Sequence, residues 1–243
     1  MSILNEAKLI LPFAEGGGSI AYDRSGNKNH GTIVGAGWET SNQHFGPSAL
    51  SLDDLDDYVH GTSAFGDVDF RNQAFGISLW AYPNASADQD PLITLGAATA
   101  GNHIVNFIYD GNNDRLLARL HQANNALTNR SGIHTASGAG LAGGWQHFML
   151  EHDGTGTMDL ARSEAYIGNV ASATTNSVGS FGAFQSNSYR VGRDSGAQYY
   201  GDYIQQVIVL PRVFTAAERS FLWNGGAGRF VDLAIPRRRL EGY

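Results

Sequence analysis

The stretch Tyr199–Gly226, YYGDYIQQVIVLPRVFTAAERSFLWNGG, leaves few choices of local structure. Its first half alternates as a strand does: Tyr203, Gln205, Val207 and Val209 share one face, and Ile204, Gln206, Ile208 and Leu210 the other. Pro211 ends the strand because it offers no ladder donor. Thr215 and Glu218 have the Thr-x-x-Glu spacing of a capping box, so a short helix runs from Ala216 to about Trp223. Asn224-Gly225-Gly226 stops it. A second block, FGISLWAY at 75–82, alternates the same way and ends at Pro83. A chain built from such strands, with no long helical periodicity, must pack sheet on sheet.

The totals fit one such domain. The chain has 243 residues, 31 of them glycine, and is large enough for a core that needs no staple. It has no cysteine, which excludes disulfides and thiolate metal sites. The net charge of −7 argues against nucleic acid as a partner. No stretch reaches the roughly 18 apolar residues of a membrane span. The opening MSILNEAKLILPF lacks a basic segment followed by an apolar run, so the expectation is synthesis in the cytoplasm without export.

Along the chain, strands are expected at Lys8–Phe13, Thr32–Val34, Ala49–Leu52, Asp57–Val59, Pro91–Leu95, His103–Tyr109 and Leu116–His121. Further strands follow at Trp145–His152, Met158–Ala161, Ala165–Ile167 and Tyr189–Gly192, with a last one at Phe230–Leu233. Residues 122–144 and 170–187 read as loops rich in small and polar side chains. The domain therefore covers residues 1–235, and Pro236–Tyr243 is a basic tail carrying Arg237, Arg238 and Arg239.

Several of these blocks together resemble the laminin-G-like, concanavalin A-like group of β-jelly-rolls. The closing block matches at Gly201, Ile204, Val207, Val209, Arg212, Phe214, Thr215 and Glu218. Asp23, Ser25, Gly26, Asn29 and Gly31 match the family's Asp-x-Ser-Gly-x-x-Asn-x-Gly loop. The Trp145 and Tyr189 strands also fit, so the resemblance spans about residues 8–228. It implies an all-β fold: a two-sheet antiparallel β-sandwich, a concanavalin A-like jelly roll, with one short C-terminal helix.

The resemblance also raises a structural Ca2+ at Asp23, Asn27 and Asn29, since short oxygen-bearing side chains on a glycine-kinked loop suit a hard cation. Gln205 and Gln206 stand where the family carries acids, which lowers the carboxylate supply and favours hydrogen bonding within the loop. Asp53, Asp54, Asp56 and Asp57 invite a metal reading too, and a turn is preferred. Asp110, Asn112 and Asp114 open like an EF-hand, but Arg115 and His121 occupy its required Gly and Glu positions. The Gly-x-Gly-x-x-Gly at 138–143 lacks the flanking strand and helix of a dinucleotide site.

No Glu-x-Asp-x-Glu triplet aims three carboxylates into a cleft, and Glu151 with Asp153 is the nearest pair. The expectation is a non-catalytic virion protein, a phage capsid decoration or tail-associated jelly roll that grips host-surface glycans. It would be localised in the virion, with other capsid or tail proteins as partners and a homo-oligomeric state left open. The Leu222–Gly228 ending resembles phage-borne members, and the arginine tail would tether the module. A stand-alone lectin is the alternative, and a glycan hydrolase a remote one. Trp38, Tyr109, Asp110 and Asn112 are the candidate sugar-binding residues, being aromatic and polar groups near loops.

Overall fold

The computed structural model describes residues 3–62, 73–86, 88–96, 103–122, 130–154, 160–177, 188–194 and 198–231. The arginine tail lies outside them. The chain opens with a helical turn, α1 (Ile3–Glu6), then β1 (Leu9–Leu11), β2 (Ile20–Ala21), β3 (Gly31–Val34), β4 (Gly37–Glu39), β5 (Ala49–Asp53) and β6 (Tyr58–Gly61). Next come β7 (Phe75–Pro83), β8 (Gln89–Leu95), β9 (His103–Asp110), β10 (Arg115–Gln122), β11 (Arg130–Thr135) and β12 (Gln146–His152). It closes with β13 (Ser163–Ile167), β14 (Val170–Ala171), β15 (Ala173–Ser177), β16 (Tyr189–Val191), β17 (Gly201–Leu210) and α2 (Ala216–Trp223).

The strands form two antiparallel sheets. An eight-stranded sheet runs β14-β13-β12-β7-β17-β5-β4, with β1 beside the second half of β17. A nine-stranded sheet runs β15-β11-β10-β9-β8-β16-β6-β3-β2. Their inner faces share one apolar core, with Ile77, Leu79, Phe148 and Ile204 from the first sheet and Val105, Phe107, Leu116 and Val191 from the second. This is the sandwich that alternation in the strands calls for. Two expected loops are partly strand: β11 lies within 122–144, and β14 and β15 within 170–187. Small and polar residues there gave no alternation, and pairing with formed neighbours supplies the order. Phe230 and Val231 are not in a strand, and of the strand expected at Met158–Ala161, Leu160 and Ala161 form a turn while residues 158–159 lie outside the described residues.

Strand β17 is the seam of the eight-stranded sheet, and its faces differ from simple alternation. Ile204, Val207 and Val209 point into the inter-sheet core, whereas Ile208 and Leu210 join a second cluster with Phe214, Leu222 and Met149 under α2. The cause is a bulge between Gln205 and Ile208, where Gln206 takes a left-handed φ of 48°. One extra residue flips the phase of every side chain beyond it.

The bulge explains the two glutamines. Gln205 Oε1 accepts from the amides of His44 (3.1 Å) and Phe45 (3.3 Å), and its Nε2 donates to the carbonyls of Ser48 (2.7 Å) and Phe45. Gln206 Nε2 donates to Arg229 O (2.8 Å), and its Oε1 accepts from Val231 N (2.6 Å). Each amide donates and accepts at once, which a carboxylate cannot do.

Helix α2 lies over the outer face of the same sheet. Thr215 Oγ1 accepts from Glu218 N at 3.2 Å, and Glu218 Oε2 accepts from Thr215 N at 2.9 Å, closing the capping box. Arg212 grips both Glu218 oxygens at 2.8 and 2.9 Å, and this pairing holds the Glu218 carboxyl down at about 2. Asn224 ends the helix in a left-handed conformation. Trp223 then stacks parallel on Trp80 at 5.6 Å, and His147 stacks on the same indole at 4.9 Å. Trp80 is thus core, though on the sheet's outer face.

Candidate functional site

Beyond the reach of α2, the outer face of the eight-stranded sheet carries a row of aromatic side chains. Tyr203 on β17 is paired with Tyr82 on β7 on one side and with Ser51 on β5 on the other, and Ser51 is paired with Gly37 on β4. Gln146 is paired with Ala81, so Trp145 lies next to Tyr82. The rings of Tyr82 and Trp145 are 5.9 Å apart, those of Tyr82 and Tyr203 5.9 Å, and those of Trp145 and Tyr203 6.3 Å. All three are partly exposed.

Two of these rings are locked at their polar tips. The Tyr82 hydroxyl donates to Gly143 O at 2.9 Å, and Trp145 Nε1 donates to Asn42 O at 2.9 Å. The strip is therefore a preformed platform rather than a loose set of side chains. Tyr203 bonds Asn42, and burial, with Asp202 and Glu39 nearby, holds its phenol above the ordinary range. It stays a neutral hydroxyl, able to donate and accept.

Beside Tyr203 opens a shallow cleft of about 250 Å³ lined by Ser51, Asp53, Asp54, Asn84 and Asp202. Asp202 has a φ of 124°, a backbone that L-residues rarely adopt. Burial pushes its carboxyl up to about 6. Asn84 Nδ2 donates to Gly201 O at 3.0 Å, while its Oδ1 is buried without a partner. Small residues on β5 and β4, Ser51 and Gly37, leave the space next to the rings open. The result is an aromatic strip in which Trp145 and Tyr203 lie within 28° of one another and Tyr82 stands edge-on to both, flanked by oxygen acceptors.

The expected sugar-binding residues lie elsewhere. Trp38, on edge strand β4, packs partly against the core and donates Nε1 to Gly18 O at 3.0 Å. Tyr109 is fully buried in the other sheet, its hydroxyl on Asp114 Oδ1 at 3.1 Å. Asp110 is buried in an ion pair with Arg115 at 2.9 Å. Asn112 is exposed at the β9–β10 turn. Tyr82 and Tyr203 became neighbours only through strand pairing, and the one sequence signal was that Tyr82 shares the face of Trp80.

The Asp23 loop is closed on itself. Asp23 Oδ1 accepts from Ile10 N and Ser25 N, both at 2.9 Å, and Oδ2 from Ser25 Oγ at 2.8 Å and Asn29 N at 2.9 Å. Four donors occupy the roughly four lone-pair sites of a carboxylate. Asn27 and Asn29 turn their Nδ2 groups to Ala7 O (2.8 Å) and Lys8 O (2.9 Å). In this arrangement the three side chains do not fit a calcium ion. They tie the loop to β1 instead. Asp53 Oδ1 likewise accepts from Leu55 N (3.0 Å) and Asp56 N (3.3 Å), the expected turn. Glu151 is engaged by Arg219 Nη1 at 3.0 Å and by Phe214 N at 3.1 Å.

The family model described as the concanavalin A-like lectin/glucanases superfamily matches residues 55–218. Among solved structures, domain 4 of AbnA, an extracellular GH43 arabinanase from Geobacillus stearothermophilus in complex with arabinotriose, superposes with a TM-score of 0.62 at 17% identity, covering 92% of this chain and 98% of that domain. The botulinum neurotoxin serotype D binding domain gives 0.64 at 11% identity, covering 93% of this chain and 52% of its own. A Trypanosoma rangeli sialidase gives 0.60 at 14% identity, covering 91% of this chain and 33% of the sialidase. The chain thus spans about half of the toxin domain and a third of the sialidase. At these identities the likeness is one of fold. No curated protein sequence matches the chain.

Proposed function

The chain belongs to the concanavalin A-like lectin/glucanases superfamily, and from that premise we propose that it is a non-catalytic carbohydrate-binding module whose ligand lies across Trp145, Tyr82 and Tyr203. The aromatic row beside the cleft carries this reading. Pyranose and furanose faces present C–H groups that rest on aromatic rings, while their hydroxyls need acceptors at the rim. Asp53, Asp54 and Asp202 supply such acceptors. Their charge repels carboxylated sugars, so the preferred ligand is a neutral oligosaccharide. The arabinotriose held by the AbnA domain supports a module of this fold with a neutral oligosaccharide. A non-catalytic role is supported by Glu151, whose oxygens are taken up by Arg219 and the Phe214 amide.

A glycan array tests the reading. Neutral oligosaccharides are expected to be retained by the native chain and released by Tyr203→Ala. A flat array with folded native protein overturns it.

The virion setting we propose on the Leu222–Gly228 block and the three terminal arginines alone. Purified particles from the source should contain this 26.0 kDa chain in fixed stoichiometry. Its absence from them removes the setting and leaves the glycan module.

A further inference from the structure

The cleft beside Tyr203 has a neighbour built from the same three segments of chain. This second cleft, of about 290 Å³, is lined by Asp54, Leu55, Asp88, Gln89, Gln198 and Tyr199. The β5–β6 segment gives Ser51 to Asp54 to the first cleft and Asp54 and Leu55 to the second. The β7–β8 segment gives Asn84 to the first, then Asp88 and Gln89 to the second. The segment entering β17 gives Gly201 to Tyr203 to the first, and Gln198 and Tyr199 to the second. Register explains this order. Strands β5 and β17 are antiparallel, with Ser51 opposite Tyr203 and Asp53 opposite Gly201, so a step forward from Ser51 is a step back from Tyr203. Asp54 comes next and walls both clefts. It is seated against Gly201, where an added Cβ would lie 2.5 Å from Asp54 Cβ, so only glycine leaves it room. The two clefts are consecutive stretches of one groove that begins at the aromatic strip.

The second stretch carries the side chains that hold a sugar. Tyr199 supplies a ring, and the Arg193 guanidinium 5.1 Å from its centroid holds that ring in place. Gln89 Oε1 accepts from Arg119 Nη1 at 2.8 Å, which orients the amide and leaves Nε2 as its donor. Gln198 is exposed, and Asp54 and Asp88 add acceptors. A fixed ring with amides and carboxylates around it suits the face and the hydroxyls of one further sugar unit or more. Resting on the sugar-binding reading of the strip, we propose that the ligand is a long neutral chain: it lies on Trp145, Tyr82 and Tyr203, continues past Asp54, and its further units are held by Gln89, Gln198 and Tyr199. The groove thereby selects long chains over short ones.

The test titrates the full chain with the neutral oligosaccharides retained on the glycan array, as a ladder from trimer to octamer, by calorimetry. Affinity is expected to rise at least fivefold along the ladder and then level off. Tyr199→Ala and Gln198→Ala should each remove much of that gain and leave the affinity for the trimer unchanged. Gln198 is exposed, so its variant folds even where loss of the Tyr199 ring disturbs Arg193. Tyr203→Ala should weaken every length alike. An affinity that does not change with length, or a gain that survives in both variants, overturns the extended groove and leaves the strip as a short site. Absence of binding at every length overturns the strip reading itself, and the extension with it.

Discussion

Tyr203 and Tyr82 face each other across β17 and β7, their rings 5.9 Å apart at an interplanar angle of 66°. The pair is set by register, and Trp145 extends it. Because the bulge begins after Gln205, Tyr203 keeps the outward phase while the residues beyond the bulge turn under α2. The sugar-binding reading therefore hangs on a backbone feature as much as on three side chains.

Tyr203→Ala should separate binding from folding. The ring is partly exposed and α2 does not cover it, so loss of stability is expected to stay near 1 kcal/mol. Affinity for a neutral oligosaccharide should fall at least tenfold, roughly 1.4 kcal/mol. Chemical denaturation and titration calorimetry on the same preparation read the two effects apart.

Gln205→Glu should destabilise strongly despite its near-identical shape. The carboxylate still accepts from His44 N and Phe45 N but cannot donate to Ser48 O or Phe45 O, so two buried carbonyls face a buried negative charge. A cost of about 3 kcal/mol is expected in urea unfolding. A change below 0.5 kcal/mol would show that the loop at 44–48 does not depend on this amide.

Asp23→Ala should cost about 2–4 kcal/mol, because Ile10 N, Ser25 N and Asn29 N lose their acceptor together. The loss should be the same with calcium and with chelator. A cost that vanishes in chelator would mean that a cation, not the N–H groups, is the partner of Asp23.

His147 should make the fold acid-sensitive. Burial holds its imidazole down at about 3, against an ordinary value of 6.5, while Ser78 Oγ lies 2.8 Å from Nε2 and Trp80 stacks on the ring. The unfolded chain binds a proton at His147 between pH 6.5 and 3 and the folded one does not, so its stabilising contribution is complete above pH 6.5 and is lost as pH falls towards 3. His147→Gln should flatten the fall in Tm between pH 7 and pH 4 relative to the native chain. An unchanged slope would mean that the ring protonates without unfolding the stack.

The parts legible in the sequence were those set by local chemistry. Thr215 and Glu218 marked the helix start, Asn224 its end, and Phe75–Tyr82 a central strand, because capping and alternation act within a few residues. The sandwich followed from those strands. The binding strip did not, since Trp145, Tyr82 and Tyr203 lie far apart in the chain and meet only through pairing. The bulge at Gln206 was also silent: Gln has no local preference for a left-handed backbone, and its bonds to Arg229 and Val231 form only after the chain has closed. Tyr109 and Asp110 looked accessible beside a polar turn, yet they carry the burial of β9.

The most direct measurement follows the four indole N–H signals of the protein by NMR while a neutral oligosaccharide is added, one signal each for Trp38, Trp80, Trp145 and Trp223. Trp145 should move with saturation while Trp38, on the edge strand, stays in place. Movement of Trp38 with Trp145 unchanged would contradict a site on the Trp145–Tyr82–Tyr203 strip and return the ligand to the sheet edge.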